Sequence, residues 1–539
     1  MKMNLMQKNR TFLSTNKLLI LVFAVWAISL SFRMNVYDPT VPILMDSLNF
    51  LSYAIDIHVL GGLPENYTVA KPGWSILLAG LFSIFDFSET SSYMQLQRIT
   101  SIFISSITIF PLYFLCNVFV EKKYSIVGAT MFAFAPRLIE NSTYGTAEPL
   151  FILFLTTTIL LFLKNSKKCL YISFLFAGIS TLIRPEGFFL FLAMSFLLIF
   201  KFKNEKFKFP KYLSVITIFF IVLLPFALYT EDTNPGTSVF SRIIGSSAQY
   251  FQTSDEESYV SSDNRLVTTS KISAITGIEH FTKYLGWVLI PMFIITAPIG
   301  VILFLKNRSY TKTSIVVITI FISIPAFYAY SFPLEEIKYL FFLFPSFVIF
   351  SILPIKLFVE KFQKKNIVIS IILAVIIISS ILFYYYQFDG EHDRESILIA
   401  KHVLDNTTVI NTYYPESRFI KSFDLPQKWS DLVSVHQNAE RTKKLVDNAI
   451  VKHLPQKHWR INPDGFESVE SLILENDKQF SHLIADSMDN RPEFLKDLFE
   501  NEDRYPYLIK EWDSKDEGFA YHVKIFKIDY NLFNLEIEK

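Results

Sequence analysis

The stretch EPLFILFLTTTILLFLKNSKKCLYISFLFAGISTLIRPEG, Glu148–Gly187, is the part of the chain that decides its fold class. It holds two apolar runs joined by the lysine-rich segment KNSKK. Basic residues collect in cytoplasmic loops, so this segment is expected inside and the far ends of both runs outside. Glu148, Arg184 and Glu186 stand at those far ends. The stretch therefore predicts a transmembrane hairpin whose charged residues lie at the outer membrane face.

The composition of the whole chain agrees with a membrane protein. Of its 539 residues, 51% are hydrophobic and 55 are Phe, and the mean hydropathy is +0.33. A soluble protein of this length carries more charge and less Phe. The net charge of +1 gives no support for a nucleic-acid partner. Because Cys116 and Cys169 are the only cysteines, neither a disulfide framework nor a cysteine-ligated metal site is expected.

The same charge rule, applied outward from the hairpin, gives a topology for the rest of the chain. Lys2, Lys8 and Arg10 place the N-terminus in the cytoplasm, and the apolar run that follows is interpreted as a signal anchor. The run Gly73–Phe85 is short for a span and is interpreted as re-entrant or interfacial. The predicted spans are Leu18–Phe32, Ile99–Phe119, Tyr124–Leu138, Pro149–Leu163, Leu170–Ile183, Gly187–Phe200, Leu213–Tyr229, Tyr284–Leu305, Ser314–Tyr330, Tyr339–Leu357 and Ile367–Tyr386.

These segments predict an α-helical polytopic protein of the cell membrane, with about 11–13 transmembrane helices and interfacial helices in the first outer loop. Residues 1–387 form the predicted transmembrane domain. From residue 388 the composition becomes charged, and residues 388–539 are predicted to form an extracytoplasmic soluble α/β domain. Its predicted elements are the helices Ile397–Leu404 and Phe466–Leu474 and the strands Thr408–Ile410, His482–Ala485 and Tyr521–Ile528.

Charged residues of the membrane domain gather on the outer side of this topology. They are Asp46, Asp56, Lys71, Arg98, Arg137, Glu140, Glu148, Arg184, Glu186, Glu335, Glu336 and Lys338. Such a concentration at one interface indicates a reaction centre at the membrane surface. The alternative is a polytopic transporter or lipid flippase, which would need charges near the middle of the bilayer and an internal repeat.

Six segments carry a resemblance to a known family. They are Asp46–Ala54 (DSLNFLSYA), Lys71–Trp74 (KPGW), Gln97-Arg98, Pro136–Leu150 (PRLIENSTYGTAEPL) with Arg184–Gly187 (RPEG), and Glu336–Leu340 (EIKYL). In this order they resemble the membrane-embedded superfamily C (GT-C) glycosyltransferases. The most similar group contains the dolichyl-phosphate-mannose protein mannosyltransferases and the aminoarabinose transferases of lipid A. The resemblance covers residues 16–387 and leaves the C-terminal domain unexplained.

The chain departs from that family at two positions. Ser47 follows Asp46, where many members carry a second acidic residue, which puts a mechanism with paired carboxylates in doubt. Lys338 precedes Tyr339, where members usually carry Arg, so a point charge replaces a bidentate fork. The Trp-Trp-Asp-Tyr-Gly motif of oligosaccharyltransferases is absent from the sequence, which argues against transfer of whole glycans to Asn.

The resemblance implies catalytic roles for Asp46, Asp56 and Glu148, with Asp46 preferred as the general base. It implies substrate binding by Lys71, Arg98, Arg137, Glu140, Arg184, Glu186, Lys338 and Tyr339. Simpler readings stay open at this stage. An Asp at a helix start can be an N-cap, a Lys can extend to lipid headgroups, and acidic and basic neighbours can form ion pairs that only shape a pocket.

The implied reaction moves a hexose or a pentose from a polyprenyl or dolichyl phosphate carrier to a protein, lipid or glycan acceptor at the outer face. No cofactor is required with certainty. A divalent cation between Asp46 and Glu148 is left open, although no HExxH pattern is present. The expected partners are the lipid donor, the acceptor and the membrane, with no nucleic acid.

Overall fold

The structure is a computed structural model. It describes residues 2–538, except for 44, 65–70, 203–207, 234–258, 261–265, 268–273, 307–308, 332–335, 388–389, 407–419, 424, 443–465, 476–479 and 489–490. The predicted strand Thr408–Ile410 and the charged residue Glu335 lie outside the described residues.

The first part of the chain is a succession of helices. They are α1 (Lys2–Val36), α2 (Met45–Leu60), α3 (Pro72–Phe82), α4 (Thr90–Ile107), α5 (Ile109–Cys116), α6 (Lys122–Ala133), α7 (Pro136–Thr143), α8 (Glu148–Leu163), α9 (Lys167–Ile183), α10 (Gly187–Lys201), α11 (Lys208–Thr233), α12 (Ala274–Leu289), α13 (Thr296–Lys306), α14 (Tyr310–Ser331), α15 (Phe344–Val359) and α16 (Lys365–Gln387). A 3₁₀ helix, Ile337–Leu343, precedes α15, and a two-stranded ribbon pairs β1 (Tyr259–Val260) with β2 (Leu266–Val267).

Six of the described helical segments are long and apolar enough to cross a bilayer. They are Lys17–Val36, Thr90–Cys116, Phe209–Glu231, Tyr310–Ser331, Ile337–Val359 and Lys365–Gln387. Helices α3, α8, α10 and α13 are apolar but shorter. The multi-pass helical membrane fold predicted from the sequence is therefore confirmed.

Two predicted spans are wrong because each joins two helices. The predicted span Tyr124–Leu138 ends at Ala133 in the structure, and Pro136 begins the separate helix α7. Proline suits a first helical turn, where its missing N–H is not needed. The predicted span Tyr284–Leu305 is likewise divided into α12 and α13, with Pro291 between them. A proline inside a helix removes a backbone donor and favours such a break.

The short apolar run of the first outer loop forms α3, which has 11 residues. At 1.5 Å per residue this helix is about 16 Å long, roughly half the thickness of the hydrocarbon core. Its length agrees with the prediction of a re-entrant or interfacial segment. Helix α2 packs against α3, so both belong to one layer beside the bundle.

The C-terminal part of the chain contains its own small sheet. Strands β3 (His482–Asp486), β5 (Val523–Ile528) and β4 (Leu508–Asp513) pair antiparallel in that order. One face packs on α20 (Val469–Glu475), α21 (Glu493–Glu500) and α22 (Tyr530–Ile537), and the other on α17 (Gly390–Asn406). Two of the predicted strands are present, whereas the edge strand β4 was missed because residues 509–511 are exposed and two of them are charged.

One segment of the C-terminal region packs on the membrane domain, although the sequence analysis assigned it wholly to the soluble domain. It holds α18 (Ile420–Phe423) and α19 (Trp429–Thr442). Leu425, Trp429 and Leu432 are buried in the hydrophobic core of the membrane domain. We call residues 422–436 the docking segment. The predicted boundary at residue 388 therefore does not separate two independent packing units.

Candidate active site

Lys338 joins two carboxylates in the region that the sequence predicts to face outside. Its ammonium lies 2.8 Å from Oδ2 of Asp46 and 2.6 Å from Oε2 of Glu336. Asp46 is in the first turn of α2, and Lys338 is in the 3₁₀ helix before α15, so the contact spans 292 positions of sequence. Half of the Asp46 side chain is exposed. The carboxylate is therefore both held in place and accessible to a substrate.

The surroundings of Asp46 keep its carboxyl ionised. Partial burial opposes the charged form, but Lys338, Lys71 and Arg184 outweigh this cost, and together they hold the pKa of Asp46 below its ordinary value. An ionised, half-exposed carboxylate can accept a proton from a hydroxyl group. This is the property that the sequence-based hypothesis required of a general base.

Arg184 organises the transmembrane hairpin predicted from the sequence. Its guanidinium contacts Glu186 at 2.8 Å and 3.2 Å through two nitrogen atoms and pairs with Glu148 through a third. All three side chains are nearly inaccessible to solvent, and the guanidinium lies 4.9 Å above the ring of Phe342. Buried charges need such compensation. The second oxygen of Glu148, Oε2, is buried without a hydrogen-bond partner among the described residues.

Lys71 completes a set that we call the outer charge cluster: Asp46, Lys71, Glu148, Arg184, Glu186, Glu336 and Lys338. Lys71 stands at the N-cap of α3, before Pro72. Burial, with a contribution from Arg184, lowers the pKa of Lys71, whereas the carboxylates of Glu186, Asp46 and Glu148 act in the opposite direction. Within the described part of the chain no ion pair is formed by Lys71.

Arg98 makes a different set of contacts. Its guanidinium donates to the backbone carbonyl oxygens of Thr143 at 2.6 Å, Asp38 at 2.9 Å and Val41 at 2.5 Å, and lies 4.4 Å above the ring of Tyr37. These contacts tie the start of the first outer loop to the end of α7. The prediction that Arg98 binds a phosphate stays a prediction.

Two residues that the sequence analysis gave no role hold the first turn of α2. Ser47 is buried and donates to the carbonyl oxygen of Tyr144 at 2.6 Å. Gln97 donates to the carbonyl oxygens of Ser47 at 3.0 Å and Gly145 at 2.8 Å. Gly145 has a φ of 73°, which favours glycine. Ser47 stands where the family often has a second acidic residue, and here it positions the helix that carries Asp46.

The remaining predicted residues lie around this centre. Arg137 and Glu140 form a local pair on α7, with 3.8 Å between their charged atoms, and Tyr144 donates to Glu140 at 2.9 Å. The ring of Tyr339 contacts the ring of Tyr330 edge to face, with 6.1 Å between centroids. Neither observation tests their predicted role in substrate binding.

Asp56 is separated from the outer charge cluster. It lies ten residues after Asp46 in the same helix, about 15 Å along the axis. Its side chain is 0% exposed and pairs with the imidazole of His436, which is also buried. His436 belongs to α19, so this pair connects the first outer loop to the docking segment. The structure brings Asp46 and Glu148 into one region and directs Asp56 elsewhere.

Metal binding finds no support in the geometry of the described residues. Among them, no group of three or more His, Cys, Asp or Glu side chains lies close enough to hold an ion. The divalent cation that the sequence analysis left open therefore remains untested.

Part of the chain matches a known family profile. Residues 70–229 match the profile described as dolichyl-phosphate-mannose-protein mannosyltransferase. The matched range contains Lys71, Arg98, Glu148, Arg184 and Glu186. No curated protein sequence matches the chain at a significant level.

Solved structures extend the similarity to most of the chain. The Archaeoglobus fulgidus oligosaccharyltransferase, crystallised with zinc and sulfate, aligns with a TM-score of 0.50 at 11% identity over 86% of this chain and 68% of its own. ArnT from Cupriavidus metallidurans, bound to undecaprenyl phosphate, has a TM-score of 0.46 at 10% identity over 82% of this chain and 73% of its own. The Saccharomyces cerevisiae Pmt1–Pmt2 complex, bound to the sugar donor, has a TM-score of 0.33 at 20% identity over 40% of this chain and 33% of its own. The chain thus has the GT-C fold of integral membrane glycosyltransferases, as its sequence motifs predicted.

Proposed function

We propose that this chain is a glycosyltransferase that uses a lipid-phosphate sugar. It moves a hexose or pentose from a polyprenyl or dolichyl phosphate carrier to a hydroxyl group of the acceptor at the outer membrane face. The observation that carries the proposal is the outer charge cluster, in which an accessible ionised Asp46 lies near an ammonium, Lys71, that forms no ion pair within the described residues. The GT-C fold and the mannosyltransferase profile support it.

Asp46 performs the proton transfer in the proposed reaction. The acceptor hydroxyl gives its proton to the Asp46 carboxylate while its oxygen bonds to the anomeric carbon of the sugar. The bond between that carbon and the phosphate oxygen breaks, and the lipid phosphate leaves with the bonding electrons. A phosphate needs no proton in order to leave, so one carboxylate is sufficient and the sugar is transferred with inversion.

The cations of the cluster have different tasks. The charge of Arg184 is compensated by two buried carboxylates, so its main effect is to hold the hairpin ends together. Lys338 keeps Asp46 ionised and oriented. Lys71 is the group that we assign to the departing phosphate, because a charged hydrogen bond to an oxyanion stabilises the developing charge. Arg98 supports the loop through backbone carbonyls.

Cleavage of the lipid-phosphate sugar donor by the purified protein would test this function. The purified chain in lipid nanodiscs would be incubated with radiolabelled polyprenyl-phosphate hexoses and pentoses, and sugar release or transfer would be followed. We expect the wild-type protein to cleave at least one donor, Asp46→Asn to be inactive, and the exposed outer carboxylate variant Asp86→Asn to be active. Movement of intact lipid across the bilayer without cleavage would favour the transporter alternative instead.

The proposed orientation has its own test. We propose a cytoplasmic N-terminus and an external C-terminal domain, because every lysine-rich loop of the predicted topology then faces the cytoplasm. Lys515 is exposed and lies in the C-terminal domain. In a variant without Cys116 and Cys169, Lys515→Cys should react with an impermeant maleimide on intact cells. Reaction only after lysis would invert the topology.

A further inference from the structure

A cavity lies between the docking segment and the membrane domain. Its volume is about 360 Å³, within the range of small-molecule sites, which begins at about 300 Å³. Three pieces of chain line it: residues 39–42 of the predicted first outer loop, the start of α4, and residues 422, 423 and 425–427 of the docking segment. None of the predicted roles involves this cavity, although Arg98 forms part of its wall.

The wall contributed by the docking segment is held firmly. Ser422 donates to the carbonyl oxygen of Ile43 at 2.8 Å. The ring of Trp429 stacks on Tyr93 with 3.7 Å between centroids and contacts Phe82 at 5.4 Å. The buried pair of Asp56 and His436 lies further along the same segment. The cavity is therefore a formed feature of the fold.

A short stretch of chain joins the cavity to the proposed base. Val41 lines it and precedes Asp46 by five positions, so their Cα atoms are at most about 18 Å apart. Ile43, which receives the hydrogen bond from Ser422, is only three positions before Asp46. A ligand that extends from the cavity along this stretch of chain, by at most about 18 Å, can reach the Asp46 carboxylate.

The chemistry of the lining selects a neutral ligand rich in hydroxyl groups. Glu89, Gln95 and Gln427 supply planar carboxylate and amide groups, which can bond two adjacent hydroxyls, and Phe423 supplies an aromatic face. Thr90 is 2% exposed, and its hydroxyl oxygen has no hydrogen-bond partner among the described residues. Together these groups can satisfy both the polar and the apolar surfaces of a sugar ring.

Two other ligand classes fit less well. An anion would meet Glu89, and the cation in the wall, Arg98, is already engaged with three carbonyl oxygens. A peptide strand would need backbone partners at the start of α4, but the docking segment occupies them. The amide of Thr90 donates to Gln427 at 2.7 Å, and the amide of Trp429 donates to Ser88 at 2.8 Å.

We propose that this cavity binds a carbohydrate acceptor, so that the docking segment forms one wall of the acceptor site. This inference rests on the proposed function, which supplies the donor and the reaction. It assigns the C-terminal region a role in acceptor recognition, with Gln95 and Gln427 as binding residues on opposite walls.

Ligand binding without donor tests the inference separately from the reaction. The full chain in nanodiscs would be titrated with mannobiose, maltose and chitobiose, and with a Ser/Thr tripeptide, under saturation-transfer difference NMR. At least one disaccharide should bind saturably and the tripeptide should not. Gln95→Leu and Gln427→Leu should each weaken that binding at least tenfold. The matched control Gln437→Leu makes the same change at an exposed site of α19, one residue beyond the docking segment and outside the cavity, and should bind as wild type does.

Three results would overturn the acceptor site. They are the absence of saturable binding by every disaccharide, unchanged binding in both cavity variants, and tripeptide binding that Gln95→Leu abolishes. Failure of the proposed function would appear elsewhere, as absence of donor cleavage by a protein that still binds the disaccharide.

Discussion

Two aspartates of one helix, Asp46 and Asp56, have opposite environments. Asp46 is half exposed and pairs with Lys338 of the membrane domain, whereas Asp56 is fully buried and pairs with His436 of the docking segment. A general base must touch its substrate, and only Asp46 is accessible. The comparison shows that partner and solvent access, rather than residue type or helix, separate a candidate catalytic carboxylate from one that holds the fold together.

The largest structural effect is expected at the buried pair. Removing one partner of a buried polar pair costs about 1–3 kcal/mol, because the other polar group is left without compensation. His436→Ala should therefore lower the free energy of opening of the docking segment by about that amount. Hydrogen–deuterium exchange of peptides covering residues 425–436 would measure it.

A double variant sharpens that prediction. Asp56→Leu with His436→Leu replaces both polar groups by apolar ones and should recover much of the lost protection. His402→Ala changes a histidine that stacks on Trp512 in the C-terminal domain, and should leave the segment protected. Equal exchange in wild type and His436→Ala would show that the pair does not hold the segment.

The next effect concerns the proposed phosphate ligand. Lys71→Met should weaken use of the lipid donor by about 1.5–3 kcal/mol, the loss expected for one charged hydrogen bond. Steady-state kinetics should show the loss in both the donor KM and kcat, because Lys71 is proposed to contact the donor phosphate both before and during its departure. Lys123→Met, which removes a lysine stacked on Tyr124 in a predicted cytoplasmic loop, is the matched control.

A variant of Arg98 distinguishes a role in supporting the first outer loop from a role in binding the donor phosphate. Arg98→Met should lower kcat with little change in donor KM, because its contacts support the first outer loop. A rise in donor KM as large as that of Lys71→Met would restore Arg98 as a phosphate ligand. Unchanged kinetics in Lys71→Met would remove Lys71 from the donor site.

The smallest effect is a shift in pH dependence. Because the pKa of Asp46 is held below its ordinary value of about 3.9, activity should persist above that low pKa and be lost as pH falls through it. Lys338→Met removes the strongest stabilising contact, so the acidic limb of kcat/KM should move to higher pH. Lys356→Met, which breaks a pair with Glu121, should leave the limb in place. A limb unaffected by Lys338→Met would mean that another group titrates.

The sequence predicted those features that depend on local pattern. Apolar runs bounded by Glu148, Lys164 and Arg184 indicated the hairpin, because span length and charge bias are both readable within some forty residues. The GT-C fold followed from the order of such motifs. The helix break near Pro291 was missed because the apolar pattern continues across it.

Features that depend on distant contacts were not predictable in this way. The pair of Lys338 and Asp46 joins positions 292 apart, and nothing in the periodicity of either segment specifies it. The docking segment has apolar residues at helical spacing, but nothing in that spacing specifies that Trp429 is buried against the membrane domain rather than within the C-terminal domain. Arg98 carries the expected charge, but its use by backbone carbonyls becomes visible only once the loop is folded.

The assignment of Asp46 as the general base is tested most directly by comparing the two aspartates in one experiment. Single-turnover transfer from a polyprenyl-phosphate sugar would be measured for Asp46→Asn and Asp56→Asn, each normalised to protein whose docking segment is protected from exchange. Loss of a positioned base lowers a rate by about 10²–10⁴-fold. We expect that loss for Asp46→Asn, with near wild-type turnover of the folded fraction of Asp56→Asn. Normal turnover by Asp46→Asn together with an inactive, folded Asp56→Asn would contradict it and move the base to Asp56.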